Sequence, residues 1–440
     1  MNPTALLFTV LTTAAAFAAD KPATLSMTEA RALVLRRHPR ISAADLNWHA
    51  AGELVRQARS AYLPQVQALG GGVITSESDG GVNIDTSALQ MPGVNDRASA
   101  GFSVSQLITD FGRTTHLTAS SRLRAGAAEQ NTHTTRAQIL LETDAACLRI
   151  LQARAVLEVA GQTVATRRVL RDNTASLQKN ELKSSLDVSF AEVNLKDAEL
   201  LLARSRNDLK SAQATLARLL LDPEGSEYVV SEPAQPSALP AKAEGLLRKA
   251  AAQRPELAGL RLELEAAQRF AQAEAALGRP RLSLQGSAGV IPYHDDNLGR
   301  NYAAAGVILS WPIFTGGMNS ARRKEAELRA QAAGQTLKDE EARIAQDVQI
   351  AWLNASNALE RLAITSDLRA QAGQSYALAE ARYQAGSSGI VELSQAQLNL
   401  TAAEINQTTT RYEYLLHRAI LDFQTGALAG AADQGRNAGK

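Results

Sequence analysis

Polar and apolar positions along this chain follow two periods, and the switch between them divides it. Over residues 113–179, small or apolar residues recur at Ala137, Leu141, Ala145, Leu148, Leu151, Ala155 and Val159, spaced by three and four as on one helix face. No proline lies between Pro92 and Pro223, and only Gly126 and Gly161 interrupt the run. A continuous helix there would be roughly 100 Å long at 1.5 Å per residue, which implies a coiled-coil-like or tubular assembly. Residues 180–185 form a polar break. A second helical pattern over about 186–221 returns antiparallel.

Ahead of this hairpin the period changes. Ser26-Met27-Thr28-Glu29 is a capping box for a helix that closes near His38-Pro39. Pro39 suits the first turn of a further helix running to about Leu63, where Pro64 stops it. Residues 65–76 alternate as a strand, with Val66, Ala68, Gly70, Gly72 and Ile74 on one side. The stretch 75–96 is rich in Gly, Ser, Asp and Asn and reads as a loop. Residues 97–107 alternate again, setting Ala98, Ala100, Phe102 and Val104 against Arg97, Ser99, Ser103 and Ser105.

The second half repeats the first. His38-Pro39 recurs as Arg254-Pro255 and Leu63-Pro64 as Arg279-Pro280, both 216 positions on. Beyond the strands the offset is 205: Gly112 meets Gly317, Leu123 meets Leu328, Ala137 meets Ala342, and Ala191, Asn194 and Leu195 meet Ala396, Asn399 and Leu400. Pro64 to Gln106 spans 42 positions and Pro280 to Trp311 spans 31, so the whole difference of 11 lies in the strand pair and its loop. Chance matching of alanine-rich helices explains the alanine pairs but not aligned prolines, strands and glycine breaks. The expected organisation is a signal peptide at 1–19 and a first repeat at 20–221, with strands within about 65–108 and long helices at 113–179 and 186–221. A proline-rich linker at 222–240 leads to a second repeat at 241–425, with strands within about 281–312 and helices at 318–383 and 390–422. Residues 426–440 are a tail.

Composition narrows the class. The chain has 440 residues, 21% charged, 45% apolar and 4% aromatic, and a formal charge of +1, so it carries no electrostatic footprint for nucleic acid. Its one cysteine, Cys147, allows no intrachain disulfide and reads as a small buried residue rather than a nucleophile. The apolar run 6–18 ending in Ala16-Phe17-Ala18 reads as an export signal, although no Lys or Arg precedes Lys21; the alternative is a short buried helix or a misplaced start. No cysteine follows the run, which argues against lipoprotein processing. No later window is apolar enough for a membrane helix. Phosphate-loop, nucleophile-elbow and zinc-protease motifs are absent, and the six histidines are scattered, so neither an enzyme, a cofactor nor a metal is expected.

Each strand is about ten residues, the length of a tilted membrane β-strand. Phe111, Tyr293, Tyr302, Trp311 and Phe314 fall toward strand ends, as in an interfacial girdle, though each alone is more often ordinary packing. Four strands cannot close a barrel, and open edges are not tolerated in lipid, so several chains would share one.

The repeated halves, the closes Asp110-Phe111-Gly112-Arg113 and Trp311-Pro312-Ile313-Phe314-Thr315-Gly316-Gly317, and the motif Tyr383-Gln384-Ala385-Gly386 followed by Ala396-Gln397 together resemble the TolC family of outer-membrane efflux and secretion ducts. The resemblance covers nearly the whole mature chain. It implies a mainly α protein with a small β part: a homotrimer with a twelve-stranded barrel in the outer-membrane lipid and a helical tunnel through the periplasm. Two helix–turn–helix tips, Glu181, Leu182, Lys183, Ser184 and Gly386, Ser387, Ser388, Gly389, would face a periplasmic membrane-fusion adaptor of an inner-membrane transporter, proton-driven or ABC.

The family's entrance carries a tyrosine, an arginine and two acidic residues. Here they correspond to Tyr383, Ser388, Glu392 and Gln395, so the arginine and the second acid are missing. At the first tip the family's glycine is Glu181, and its aspartate is present as Asp187. The expected entrance is therefore acidic at Asp187 and Glu392 but incompletely latched, with Lys183 as a replacement cation that the sequence does not settle. An equal reading makes both acids ordinary helix N-terminal carboxylates. A different class, a soluble periplasmic coiled-coil scaffold or adaptor without a pore, has no need of the strand pairs.

Overall fold

A computed structural model describes residues 24–73, 97–222, 227–233, 238–293 and 300–430. The expected signal peptide, most of both strand loops and most of the tail lie outside the described residues. The chain forms two compact units. One, here the tip unit, comprises Met1–His38, Leu140–Leu239 and Ala355–Ala419; the other, the sheet unit, comprises Pro39–Ile139, Pro240–Asn354 and Ile420–Lys440.

Local sequence accounts for the short elements. Helix α1, Met27–Arg37, opens on a reciprocal capping box: the Glu29 amide donates to Ser26 Oγ at 3.1 Å, and the Ser26 amide donates to the Glu29 carboxylate at 2.8 Å. It ends at His38 because the residue before a proline avoids helical geometry. Helix α2, Pro39–Ser60, stops sooner than its pattern suggests, in a turn where Tyr62 and Leu63 donate to the carbonyls of Arg59 and Ser60. Strand β1, Thr24–Leu25, pairs in parallel with β4, Val229–Val230, in the linker. In the tip unit the linker is also anchored by Glu232, which accepts from the Tyr412 hydroxyl and pairs with Arg411 at 3.0 Å.

The sheet unit holds one antiparallel sheet of β2 (Gln65–Val73), β3 (Arg97–Thr109), β5 (Arg281–Tyr293) and β6 (Asn301–Ser310), in the order β2-β3-β5-β6. The central β3–β5 pairing joins the two repeats and carries irregularities at Ala98/Ala100 and Leu107/Thr109. Cross-strand partners share a face. The rows Gln65–Ser105–Gln285–Gly306 and Gln67–Ser103–Ser287–Ala304 make one side polar. Val66, Phe102, Leu284 and Val307 stand on the opposite side and are exposed, Phe102 by 63%. In this chain the outer edges of β2 and β6 pair with no strand among the described residues.

Helices α3 (Arg113–Lys179) and α7 (Met318–Gln384) are each 67 residues and both start and stop 205 positions apart. Helix α4, Ser185–Leu220, and α8, Ile390–Gln424, also begin 205 apart. The two shorter helices between the halves are α5, Glu244–Gln253, and α6, Pro255–Ala275, the latter followed by a 3-10 turn at Ala276–Gly278.

The backbone repeats more closely than the side chains. Among the described residues three non-glycines have positive φ, Phe111 (54°), Glu181 (59°) and Leu221 (59°). Each lies 205 positions before a positive-φ glycine: Gly316 (60°), Gly386 (72°) and Gly426 (81°). The second repeat meets these left-handed positions with glycine, and the first meets them with strain.

Each unit has its own buried cluster between helices. In the tip unit Ala191, Ala379, Ala396, Ile390, Leu393 and Tyr383 form one buried cluster. In the sheet unit Ala250, Leu257, Ile344 and Val348 form another. Two buried carboxylates are paired: Asp144 is held by Arg31 through two bonds of 2.6 Å, and Glu274 by Arg322 at 2.8 Å and Arg113 at 3.8 Å. Cys147 is wholly buried, and burial, reinforced by the Asp144 charge, pushes its thiol up to about 12.

Candidate functional site: the two helical tips

The same turn is built twice in the tip unit. At the end of α3, Leu182 N–H donates to the Leu177 carbonyl at 3.0 Å, and at the end of α7, Ser387 N–H donates to the Arg382 carbonyl at 2.9 Å. Both are Schellman closures, with Glu181 and Gly386 at the left-handed position.

The following helices start differently. Ser184 caps α4: its hydroxyl accepts from the Asp187 amide at 3.1 Å, and Asp187 Oδ2 receives the Ser184 amide at 3.0 Å and hydroxyl at 2.9 Å. Asp187 therefore serves as the helix-terminal carboxylate of a capping box. At the second tip the N-cap position is Gly389, which has no side chain to cap. Glu392 is drawn instead to Arg382, whose Nη1 lies 2.8 Å from Glu392 Oε1 across the turn. Arg382 is the cation that motif comparison missed; it directly precedes Tyr383 in sequence, and only the turn brings it to Glu392.

Tyr383 is the centre of the site. Its ring is 8% exposed within the alanine cluster, and its hydroxyl lies 3.4 Å from Thr174 Oγ1 of α3. Lys183 Nζ sits 4.2 Å from the ring centroid, a cation–π contact that ties the first tip to the second hairpin. A further tie joins Asn194 Nδ2 of α4 to Ser394 Oγ of α8 at 2.8 Å.

Beside Lys183 runs a groove of about 720 Å³, lined by Val169, Leu170, Leu177, Leu182, Tyr376 and Glu380 among others. Burial, then the charge of Glu380, pushes the Tyr376 hydroxyl upward. Glu181 and Leu182 project outward, Leu182 by 69%. Ser388 carries a buried hydroxyl with no hydrogen-bond partner. On the opposite side of the second tip a recess of about 780 Å³ is lined by Leu378, Arg382, Val391, Glu392, Gln395 and Asn399.

The aromatics of the sheet unit divide. Trp311 and Phe314 are exposed by 59% and 88%, and Phe111 by 50%. Tyr293 is the last residue of β5. Tyr302, expected with the girdle, instead belongs to the row Leu69–Gly101–Gly289–Tyr302, on the face of the glutamines and serines. It lies where a Cβ on Gly101 or Gly289 would stand, so these glycines make room for its ring.

A duplicated α-hairpin frame carrying a small sheet, apolar on one exposed face, defines a membrane channel component rather than a soluble scaffold. Among the described residues no helix is long and apolar enough to cross a membrane. The family model of the outer membrane efflux protein matches residues 31–220 and 246–427, and the chain belongs to that family.

The chain is 26% identical over 408 residues to outer membrane protein TolC of Escherichia coli K12, covering 88% of this chain and 79% of the relative. It is 24% identical over 400 residues to outer membrane efflux protein BepC of Brucella suis, covering 89% and 84%. The crystal structure of the outer membrane protein VceC from Vibrio cholerae superposes with a TM-score of 0.77 at 18% identity, covering 91% of this chain and 96% of that one, a likeness of fold. The protein is thus an outer-membrane exit duct for efflux, with a long periplasmic helical part.

Proposed function

We propose that three copies of this chain assemble into one duct, each giving four strands to a twelve-stranded barrel and two long hairpins to a periplasmic tunnel. The observation that carries this is the four-stranded sheet with an exposed apolar face and two edges that pair with no strand among the described residues. A membrane admits such a sheet only in a closed barrel, and closure here needs further copies. On this reading Trp311, Phe314, Phe111 and Tyr293 stand at the membrane interface.

The tips form the periplasmic entrance. Lys183 on Tyr383 joins each protomer's two hairpins, Arg382 on Glu392 braces the second tip, and Asp187 and Glu392, repeated threefold, ring the constriction. Glu181, Leu182, Lys183 and Ser184, with Gly386, Ser387, Ser388 and Gly389, meet a periplasmic membrane-fusion adaptor, which joins the duct to a proton-driven or ABC transporter of the inner membrane. The apolar groove beside Lys183 supports a helical partner at this end. The same duct would serve a tripartite efflux pump or type I secretion.

Two experiments test the reading. Fractionation of cells expressing the chain should place a heat-modifiable trimer in the outer membrane; soluble periplasmic material would sink the duct. In planar bilayers Glu392→Gln should weaken cation selectivity and divalent block of single channels, and unchanged values would remove the acidic ring while leaving the duct intact.

A further inference from the structure

Charge in the sheet unit is concentrated at one end. The starts of β2 and β5 and the ends of β3 and β6 lie together, since Gln65 pairs with Ser105, Thr109 with Leu282 and Arg281 with Ser310. Four segments adjoin this end: residues 53–63, 110–124, 274–281 and 318–329. Together they hold 11 Lys and Arg against 5 Asp and Glu, a net +6 in a chain whose whole formal charge is +1. The balance elsewhere is therefore acidic, so the excess is a local feature.

The carboxylates in these segments are largely occupied. Glu274 is shared by Arg113 and Arg322, and Glu53, Glu325 and Glu327 pair with neighbours on their own helices. Arg59, Arg122 and Arg279 are exposed, and no carboxylate among the described residues pairs with them. Arg279 donates to the Phe111 carbonyl at 2.7 Å, which leaves its charge uncompensated.

Apolar residues stand at the same end. Ile313 and Phe314 are each 88% exposed in the turn after β6, and Leu309 and Trp311 are 63% and 59% exposed. The order along the unit is an apolar sheet face, then aromatic turns, then arginines. That order matches a bilayer leaflet read from its acyl chains to its headgroups.

We propose that this basic collar binds the anionic phospholipid headgroups of the leaflet next to the helices. The inference rests on the sheet being the membrane-embedded part. Aromatic turns alone would seat the chain equally well in a zwitterionic leaflet. A net charge of +6 adds a preference for anionic lipid that salt must weaken, because surface attraction decays within about 8 Å at physiological ionic strength.

The test is flotation of the full-length purified chain with phosphatidylcholine vesicles and with phosphatidylcholine/phosphatidylglycerol vesicles, at low and high salt. The expected result is at least about tenfold stronger partition into the anionic vesicles at low salt, lost at high salt, since each arginine near an anionic surface contributes up to about fivefold. The variant carrying Arg59→Gln, Arg122→Gln and Arg279→Gln should lose most of that preference while floating with phosphatidylcholine as before. Equal flotation of the unmodified chain with both vesicles at low salt overturns the collar and leaves the membrane reading standing. Flotation with neither overturns both.

Discussion

Glu181 and Gly386, 205 positions apart, hold the same left-handed backbone, with φ of 59° and 72°, in the same closing turn of equally long helices. One position is built for glycine and the other is not. The strain falls on the first repeat, at an exposed tip where a carboxylate projects.

Glycine at 181 should therefore stabilise the fold. A side chain on left-handed backbone costs about 1 kcal/mol or more, so Glu181→Gly should raise unfolding stability by roughly that amount. The reverse change, Gly386→Ala, should cost a similar amount. Gly426→Ala should cost more, because its Cβ would lie 2.8 Å from the Gln253 carbonyl. Thermal unfolding in detergent orders the three variants, and a destabilised Glu181→Gly would mean that its carboxylate makes a compensating contact in the assembly.

Lys183 over Tyr383 should bias the proposed entrance toward its closed form. A partly exposed cation–π contact contributes about 0.5–1 kcal/mol, so Lys183→Met should raise the open-to-closed ratio by about two- to fivefold. Lys183→Arg should preserve it. Single-channel open probability is the measurement, and equal behaviour of the Met and Arg variants would show that the Lys183 cation does not set the entrance.

Cys147 should resist alkylation in the folded protein. Burial holds its thiol neutral, raised from an ordinary 9.0 to about 12. The sign follows from linkage. Below pH 9 both folded and unfolded forms keep the proton, and the thiol has no effect on stability. Between about 9 and 12 only the unfolded form ionises, so stability falls as pH rises through that window. Maleimide labelling at pH 8 should be slow in the native protein and fast after denaturation, and fast native labelling would contradict the burial.

Glu274 should be costly to remove. It is 3% exposed and neutralises Arg322 and Arg113 below the sheet, so Glu274→Ala leaves two guanidiniums unpaired. The two guanidiniums left behind are 46% and 33% exposed and can rehydrate, so a loss of about 1 kcal/mol is expected, read from urea unfolding. A loss of about 3 kcal/mol or more would show that the assembly closes these arginines off from solvent.

The long helices were legible because a 3.6-residue period without proline has few competing readings over so many residues. Their equal lengths followed from one constant offset. The strands were legible where alternation is strong, as at Arg97–Leu107. In Asn301–Ser310 the run Ala303-Ala304-Ala305-Gly306 leaves the two faces nearly alike, so the side taken by Tyr302 was hidden until pairing with Gly289 placed it. Lys183 stands out in sequence as a spare cation at the first tip, whereas Arg382 sits beside Tyr383 in sequence and faces Glu392 only once the turn has closed.

By itself, then, the sequence determined periodicity, the repeat, the sheet-forming segments and the position of both tips, since these depend on local residue patterns counted along one chain. Tertiary structure alone decided which charges meet at the tips, which face of the sheet carries each aromatic, and that Phe111, Glu181 and Leu221 take the backbone their glycine counterparts take. Those outcomes depend on helix phase, strand register and the packing that holds strained residues in place, and none of these is written in the spacing of residue types.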